Sequence, residues 1–466
     1  MTQDWKGKKV LILGLGQYAK GSGIAAALYF ARAKADVVVS DFYYSDAMKK
    51  NAARLKRFKN VRCVFNQHPL DEVHSADLVV RHQRIRLSEP EMQEALKLGK
   101  PIETAESLFL KLCPCLVVGI TGTRGKSTTT TLVYDMLRAS KKQVVLGGNI
   151  LISPLTFLAT LKKSQIVVLE LSSFQLEGTG ASGISPRVAC VTNLMRDHLN
   201  AYANMDEYAE AKAQIFRHQT VNDTVVLNGD DAFGREWATE APGTVRIFTA
   251  KKRKGSDAWI EGTQLVMSTT AHTKPREQVV VADFDALKVF GTHNHLNMLA
   301  AALTAQATGA SIPAIRRALA AFRGLKDRQE IIAVKRGVTF INDTTATTPD
   351  GTIAALHAIG PRFKKMRLIL GGADKELEFE GLAKVLRRWK PEIVVLPGTA
   401  HDKLTRALKT AKVSYEDVAT LKEAVSRLRA RALAGDAVIL SPGCASFGLF
   451  KNEFDRGQQF RKLVGR

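Results

Sequence analysis

The stretch "CLVVGITGTRGKSTTTTLVYDML", residues 115–137, sets the tightest limit on what this chain can fold into. An apolar run rich in β-branched residues leads into a glycine turn of pattern G-x-x-G-x-x-G-K-S, from Gly119 to Ser127, and then into a helical stretch. Strand, phosphate-type loop and helix in that order form a unit of a parallel α/β sheet. In such a loop the backbone N–H groups of Gly122, Thr123, Gly125 and Thr128 and the helix dipole cradle phosphates. Lys126 reaches the outer phosphates, and the Ser127 hydroxyl is a magnesium ligand. A nucleotide triphosphate with Mg2+ is the expected ligand.

The same alternation of short apolar strands with helical stretches recurs on both sides of the loop. Residues 1–107, 108–325 and 326–466 read as three α/β domains. They are an N-terminal Rossmann-like domain, a central ATPase-like domain built on a parallel sheet with the phosphate loop, and a C-terminal Rossmann-like domain. The first opens with "KKVLILGLGQYAKGSGIAAALYFARAKADVVVSDF", in which Gly14, Gly16 and Ala19 fit G-x-G-x-x-A and Asp41 ends the second strand. Such a loop lets backbone approach a pyrophosphate, while an acidic residue about 20 positions on can meet a ribose.

Composition narrows the partners. Lys and Arg exceed Asp and Glu by 68 − 45 = 23. The basic clusters "AKKRKG", "RFKKMR" and "RRWK" are short, dispersed and not interleaved with aromatics, so they read as solvated surface rather than a nucleic-acid interface. No run reaches the roughly 18 apolar residues of a membrane span, and the N-terminus lacks a signal-peptide pattern, so the chain reads as cytoplasmic. Five scattered cysteines read as reduced thiols.

Two further residues stand where chemistry is expected. "VVLELSSFQLE" puts Glu170 at the C-terminal end of an apolar strand, the edge where parallel sheets bind ligands and where a hard carboxylate suits magnesium. "VTNLMRDHLNAY" reads as another strand, ending near His198.

Six motifs, "TGTRGKSTT", "LELSSFQLE", "NLMRDHLNAY", "GTHNHLNMLAAA", "FINDTTATTPDGTIAAL" and "LSPGCASFGLFKNEFDRG", in this order and over nearly the whole chain, resemble the Mur ligases of peptidoglycan synthesis, and their glutamate-adding branch in particular. The resemblance implies an ATP-dependent, ADP-forming amide ligase that acts on UDP-N-acetylmuramoyl-L-alanine and glutamate as a monomer. It implies that Ser127 and Glu170 hold one magnesium and His198 a second, with Lys126 at the phosphates. It implies that Lys212, which alone would read as a solvated helix lysine, is carbamylated and serves as an anionic metal ligand. Gly16, Gln17, Tyr18, Asp41 and Asn149 would face the UDP substrate. Asn294 and Asn297 would face the adenine, and Arg328 and Asp343 the ribose and phosphates. Thr347, Lys375, Ser446 and Phe447 would face glutamate. One departure touches the acceptor: Thr345 stands where the family has a lysine for the glutamate carboxylate, which leaves the choice of D- or L-glutamate open.

Overall fold

The computed structural model describes residues 4–149, 152–198, 201–269, 277–287, 289, 291–374 and 376–465. The described chain divides into two compact units, Met1–Ala286 with His295–Ala320, and Leu287–Asn294 with Ala321–Arg466.

The first unit carries two sheets. One consists of β1 (Lys9–Leu13), β2 (Asp36–Asp41), β3 (Val61–Phe65), β4 (Leu78–Arg81) and β5 (Ile102–Glu103), all parallel, in the order β3-β2-β1-β4-β5. Alternation along β1 explains its unbroken apolar sequence: Val10 and Ile12 enter one buried cluster, Leu11 and Leu13 another on the opposite face. The larger cluster continues into the second sheet through Leu108, Phe109, Leu155, Val167 and Leu169. Each such side chain contributes about 1.5–3 kcal/mol on burial, so the two sheets share one core.

The second sheet holds β6 (Leu116–Thr121), β7 (Val144–Gly148), β8 (Ile166–Glu170), β9 (Val188–Val191), β10 (Thr224–Asn228), β11 (Thr244–Thr249), β12 (Ala258–Glu261), β13 (Gln264–Ser268) and β14 (Gln278–Asp283). Their order is β14-β13-β12-β11-β10-β9-β6-β8-β7. After β6 the chain passes to β7 and β8 on one side and to β9 on the other, so a ligand-binding crevice is expected beyond its C-terminal end.

The second unit holds β15 (Glu330–Lys335), β16 (Val338–Asn342), β17 (Met366–Gly371), β18 (Glu392–Leu396), β19 (Glu416–Asp417) and β20 (Ala437–Leu440), in the order β15-β16-β20-β17-β18-β19. Leu368 and Leu370 pack on one face and Ile369 on the other.

Three features depart from the sequence reading. β12 and β13 are antiparallel because Glu261 pairs with Gln264 across a two-residue turn, too short for a parallel crossover, and β14 also pairs antiparallel with β13. β15 and β16 form a hairpin for the same reason: Lys335 pairs with Val338 around Arg336 and Gly337, both at positive φ, as a type I′ turn requires. The strand expected to run to His198 stops at Val191, because Thr192 and Asn193 leave the sheet to brace the phosphate loop.

Candidate active site

The phosphate loop leaves β6 at Thr121 and enters the helix Lys126–Ala139 at Gly125. Gly122 has φ +143° and Gly125 φ +82°. A Cβ on Gly122 would overlap the Thr192 hydroxyl, and one on Gly125 the Asn297 amide. Both positions therefore need glycine twice over, for backbone conformation and for space. The segment after β9 holds the loop in shape. Thr123 N donates to Asn193 O and Arg124 N to Asn193 Oδ1, each at 2.9 Å, while Thr192 Oγ1 donates to Arg124 O at 2.6 Å. Neither Thr192 nor Asn193 was singled out by sequence. Lys126 Nζ lies over its own loop, donating to Gly122 O (2.9 Å) and Thr123 O (3.1 Å). The N-cap of the helix Lys126–Ala139 is Gly125, which has no side chain with which to cap it, and a helix N-terminus favours an anion. Ser127 is half-buried and Thr128 buried in that first turn.

Glu170 ends β8 and is 3% exposed. Its Oε1 accepts from Asn149 Nδ2 at 3.0 Å, and its main-chain oxygen accepts from Asn149 N at 2.8 Å, so Asn149 is tied to the carboxylate. Its Oε2 is buried with no partner among the described residues. A buried carboxylate oxygen without a donor suits a cation.

Lys212 corrects the reading that sequence alone would give. The helix Met205–Arg217 buries Tyr208, Ala211, Lys212, Ile215 and Phe216, and Lys212 is 1% exposed. Its Nζ donates to Gly122 O at 3.1 Å and stands 4.8 Å from the Tyr208 ring centroid. Two amines thus converge on one loop carbonyl. Burial, reinforced by the charge of Lys126 and partly offset by Asp197 and Glu170, brings the Lys212 amine down to a pKa of about 7. A substantial neutral fraction near neutrality follows.

His198 adopts φ +54° and lies 46% exposed beside Asp197 at 4.0 Å. Its ring stands 5.5 Å from Phe174 and 5.9 Å from Tyr208, whose hydroxyl pairs with Thr123 Oγ1 at 3.3 Å. Among the described residues no three His, Cys, Asp or Glu side chains form a metal-binding group. The donors present are a hydroxyl, a carboxylate with a spare oxygen, an imidazole and a partly neutral amine. Such a sparse oxygen set fits magnesium, which keeps waters and takes substrate phosphates as ligands.

At the five-stranded sheet Asp41 proves to be a loop-former. Its Oδ2 accepts from Leu15 N (2.8 Å) and Gly16 N (3.3 Å), and its Oδ1 from Tyr43 N (3.1 Å). The carboxylate is spent on holding the glycine loop, which leaves Gln17 exposed and Tyr18 66% exposed beyond it.

In the second unit Asp343 follows β16 and is fully buried. Ser441 Oγ donates to its Oδ2 at 2.7 Å and Gln329 N to its Oδ1 at 3.1 Å. Burial pushes its carboxyl up to about 7 against those bonds and the charge of Arg328. Asn294 is buried in this unit, and Asn297, also buried, in the first. Thr345 turns its hydroxyl to Asp327 O (2.9 Å), and Thr347 is half-buried on the same loop. Ser446 is buried and Phe447 57% exposed on the loop after β20, while Lys375 lies outside the described residues. Sequence reasoning missed what joins these loops. Arg456, 0% exposed, donates to Thr344 Oγ1 (3.0 Å), Thr344 O (2.9 Å) and Cys444 O (3.2 Å). It stood in the quoted "NEFDRG", but nothing local marked it as buried.

Residues 120–305 match the family model described as "Mur ligase middle domain", and residues 327–444 the one described as "Mur ligase, glutamate ligase domain". The chain is 38% identical to a UDP-N-acetylmuramoylalanine--D-glutamate ligase of Roseiflexus over 98% of both chains. It is 34% identical to the enzyme of that name from Acetivibrio thermocellus, over 98% of this chain and 96% of that one. Among solved structures, MurF from Acinetobacter baumannii superposes with a TM-score of 0.61 at 18% identity, over 98% of this chain and 93% of the other. A UDP-N-acetylmuramate-alanine ligase from Thermotoga maritima gives 0.59 at 22%, over 98% and 99%. At those identities the structural likeness speaks for the fold.

Proposed function

This chain belongs to the Mur ligase family, and from that premise we propose that it joins D-glutamate to UDP-N-acetylmuramoyl-L-alanine at the expense of ATP. The observation that carries the reading is the convergence of Lys126 and the buried Lys212 on the Gly122 carbonyl. A binder of nucleotides has no need of a second, desolvated amine at its phosphate loop. In the first step an oxygen of the substrate's alanine carboxylate bonds to the γ-phosphorus and ADP leaves, giving an acyl phosphate. In the second the amine of glutamate bonds to the acyl carbon, loses a proton, and inorganic phosphate departs.

Both partners of the first step are anions, so alignment and charge compensation are the main task. Lys126 supplies one charge, and the backbone of Gly122, Thr123, Gly125 and Thr128 lines the phosphates. Magnesium, which Ser127, Glu170, His198 and a carbamylated Lys212 would hold, supplies Lewis-acid neutralisation of the triphosphate. For Lys212 the neutral amine bonds to CO2 and releases a proton, exchanging a cation for an anionic oxygen donor. Gly16, Gln17, Tyr18 and Asn149 serve the UDP substrate, with Asp41 acting through the loop it shapes. Asn294 and Asn297 serve the adenine, and Arg328 and Asp343 the ribose and phosphates. Thr347, Lys375, Ser446 and Phe447 serve the acceptor. Residues 1–107, 108–325 and 326–466 are the corresponding functional divisions.

Among the described residues no helix is long and apolar enough to cross a membrane. We place the enzyme in the cytoplasm, as a monomer. Thr345 contributes no charge to the acceptor site, so phosphate release should be measured with ATP, magnesium and UDP-N-acetylmuramoyl-L-alanine against a panel of D- and L-amino acids. Release with D-glutamate well above the rest is expected. Turnover confined to L-glutamate would overturn the stereochemical assignment, and none with either isomer the activity itself.

A further inference from the structure

Glu106 is a buried carboxylate that the reaction does not use. It lies on the helix Ala105–Leu112 and is 1% exposed, and burial raises its pKa. Ser22 Oγ donates to its Oε1 at 3.1 Å, and Gln175 Nε2 donates to the same oxygen at 2.9 Å. Ser22 is the first residue of the helix Ser22–Arg32, directly behind the glycine loop. Gln175 faces the other way: its Oε1 accepts from Ser172 N at 2.9 Å, and Ser172 lies two residues beyond Glu170. One oxygen therefore joins the element that ends the nucleotide loop to the element that follows the candidate metal ligand. A backbone bond from Ser153 N to Lys20 O (2.8 Å) also braces the loop, and Ser153 lies four residues beyond Asn149 in the chain.

We propose that Glu106 is a positioning residue: its Oε1 fixes the distance between the UDP-substrate loop and the strand end bearing Glu170. The substrate's nucleotide is held between the first and Asn149, which is bonded to Glu170 at the second, and its carboxylate reacts beside Glu170. An error of about 1 Å in that span is enough to misplace the carboxylate from the γ-phosphate. Because both donors address the same oxygen, glutamine in place of glutamate keeps the bridge, whereas alanine removes it. The inference rests on the ligase reading for its substrate, yet it concerns a geometry that UDP alone reports.

The test uses the full chain and its Glu106→Ala, Glu106→Gln and Ser22→Ala variants. UDP binding is read by calorimetry, and KM for the UDP substrate and for ATP by phosphate release. Glu106→Ala is expected to weaken UDP and to raise the UDP-substrate KM about tenfold, with the ATP KM unmoved. Glu106→Gln stays within about threefold of wild type, and Ser22→Ala loses about threefold. If Glu106→Ala does not fold, the Ser22→Ala split between the two KM values decides. UDP affinity unchanged in both Glu106→Ala and Ser22→Ala overturns the proposal. So does equal damage from glutamine and alanine, which assigns the effect to the charge, or a parallel rise of both KM values, which marks general loosening. A wild-type chain that binds UDP but releases no phosphate defeats the proposed activity, and the UDP arm still decides the role of Glu106.

Discussion

Replacing Lys212 by methionine, a side chain of similar length without the amine, tests whether the buried amine is a chemical group rather than a core filler. The amine is held at about 7 against its ordinary 10.5. At pH 7.5 about three quarters of it is then neutral, against about one in a thousand for an exposed lysine, a gain of several hundredfold in the form that captures CO2. The same shift fixes the sign of the stability effect. The unfolded chain binds the extra proton between pH 7 and 10.5, so the cost of the buried ammonium is fully present below about 7. It fades as pH rises toward 10.5, and wild-type stability gains up to about 1.4 kcal/mol per pH unit over that window. In buffer purged of CO2, the urea midpoint of wild type should climb from pH 7 to 9 relative to that of Lys212→Met. In 13C-bicarbonate the wild type should show a carbamate resonance that Lys212→Met lacks, while the variant's turnover falls at least about a hundredfold. Parallel pH profiles together with no carbamate signal would refute the reasoning.

Two further outcomes follow from the site. Gly125→Ala forces a Cβ into the Asn297 amide at φ +82°; turnover is expected to fall at least about a hundredfold, with ATP affinity reduced in nucleotide-binding assays. Asp343 has its carboxyl raised from 3.8 to about 7. The folded state thus holds the extra proton between those values, and this group's contribution to stability is lost as pH rises through the window. Asp343→Asn should remove that slope, with a ceiling on the order of 4 kcal/mol, as read by denaturant unfolding from pH 4 to 7.5; an unchanged slope would show that the carboxyl is not the titrating group.

Local chemistry made much of the molecule legible beforehand. The loop from Gly119 to Ser127, the apolar strands around it and Glu170 at a strand end all follow from short-range pattern. Backbone period and glycine placement are set within a few residues. The antiparallel edges were harder to see, because a two-residue turn such as Arg336–Gly337 differs from a surface loop only in backbone conformation.

The sequence by itself determined the fold class, the phosphate loop and the family, because each is written in contiguous residues whose spacing alone brings the right atoms together. Only the tertiary structure decided that Lys212 is a desolvated amine, that Asp41 spends its carboxylate on its own loop, and that Arg456 and Glu106 tie distant segments together. Burial and the pairing of polar groups far apart in the chain decide those roles, and neither leaves a periodic mark in the sequence.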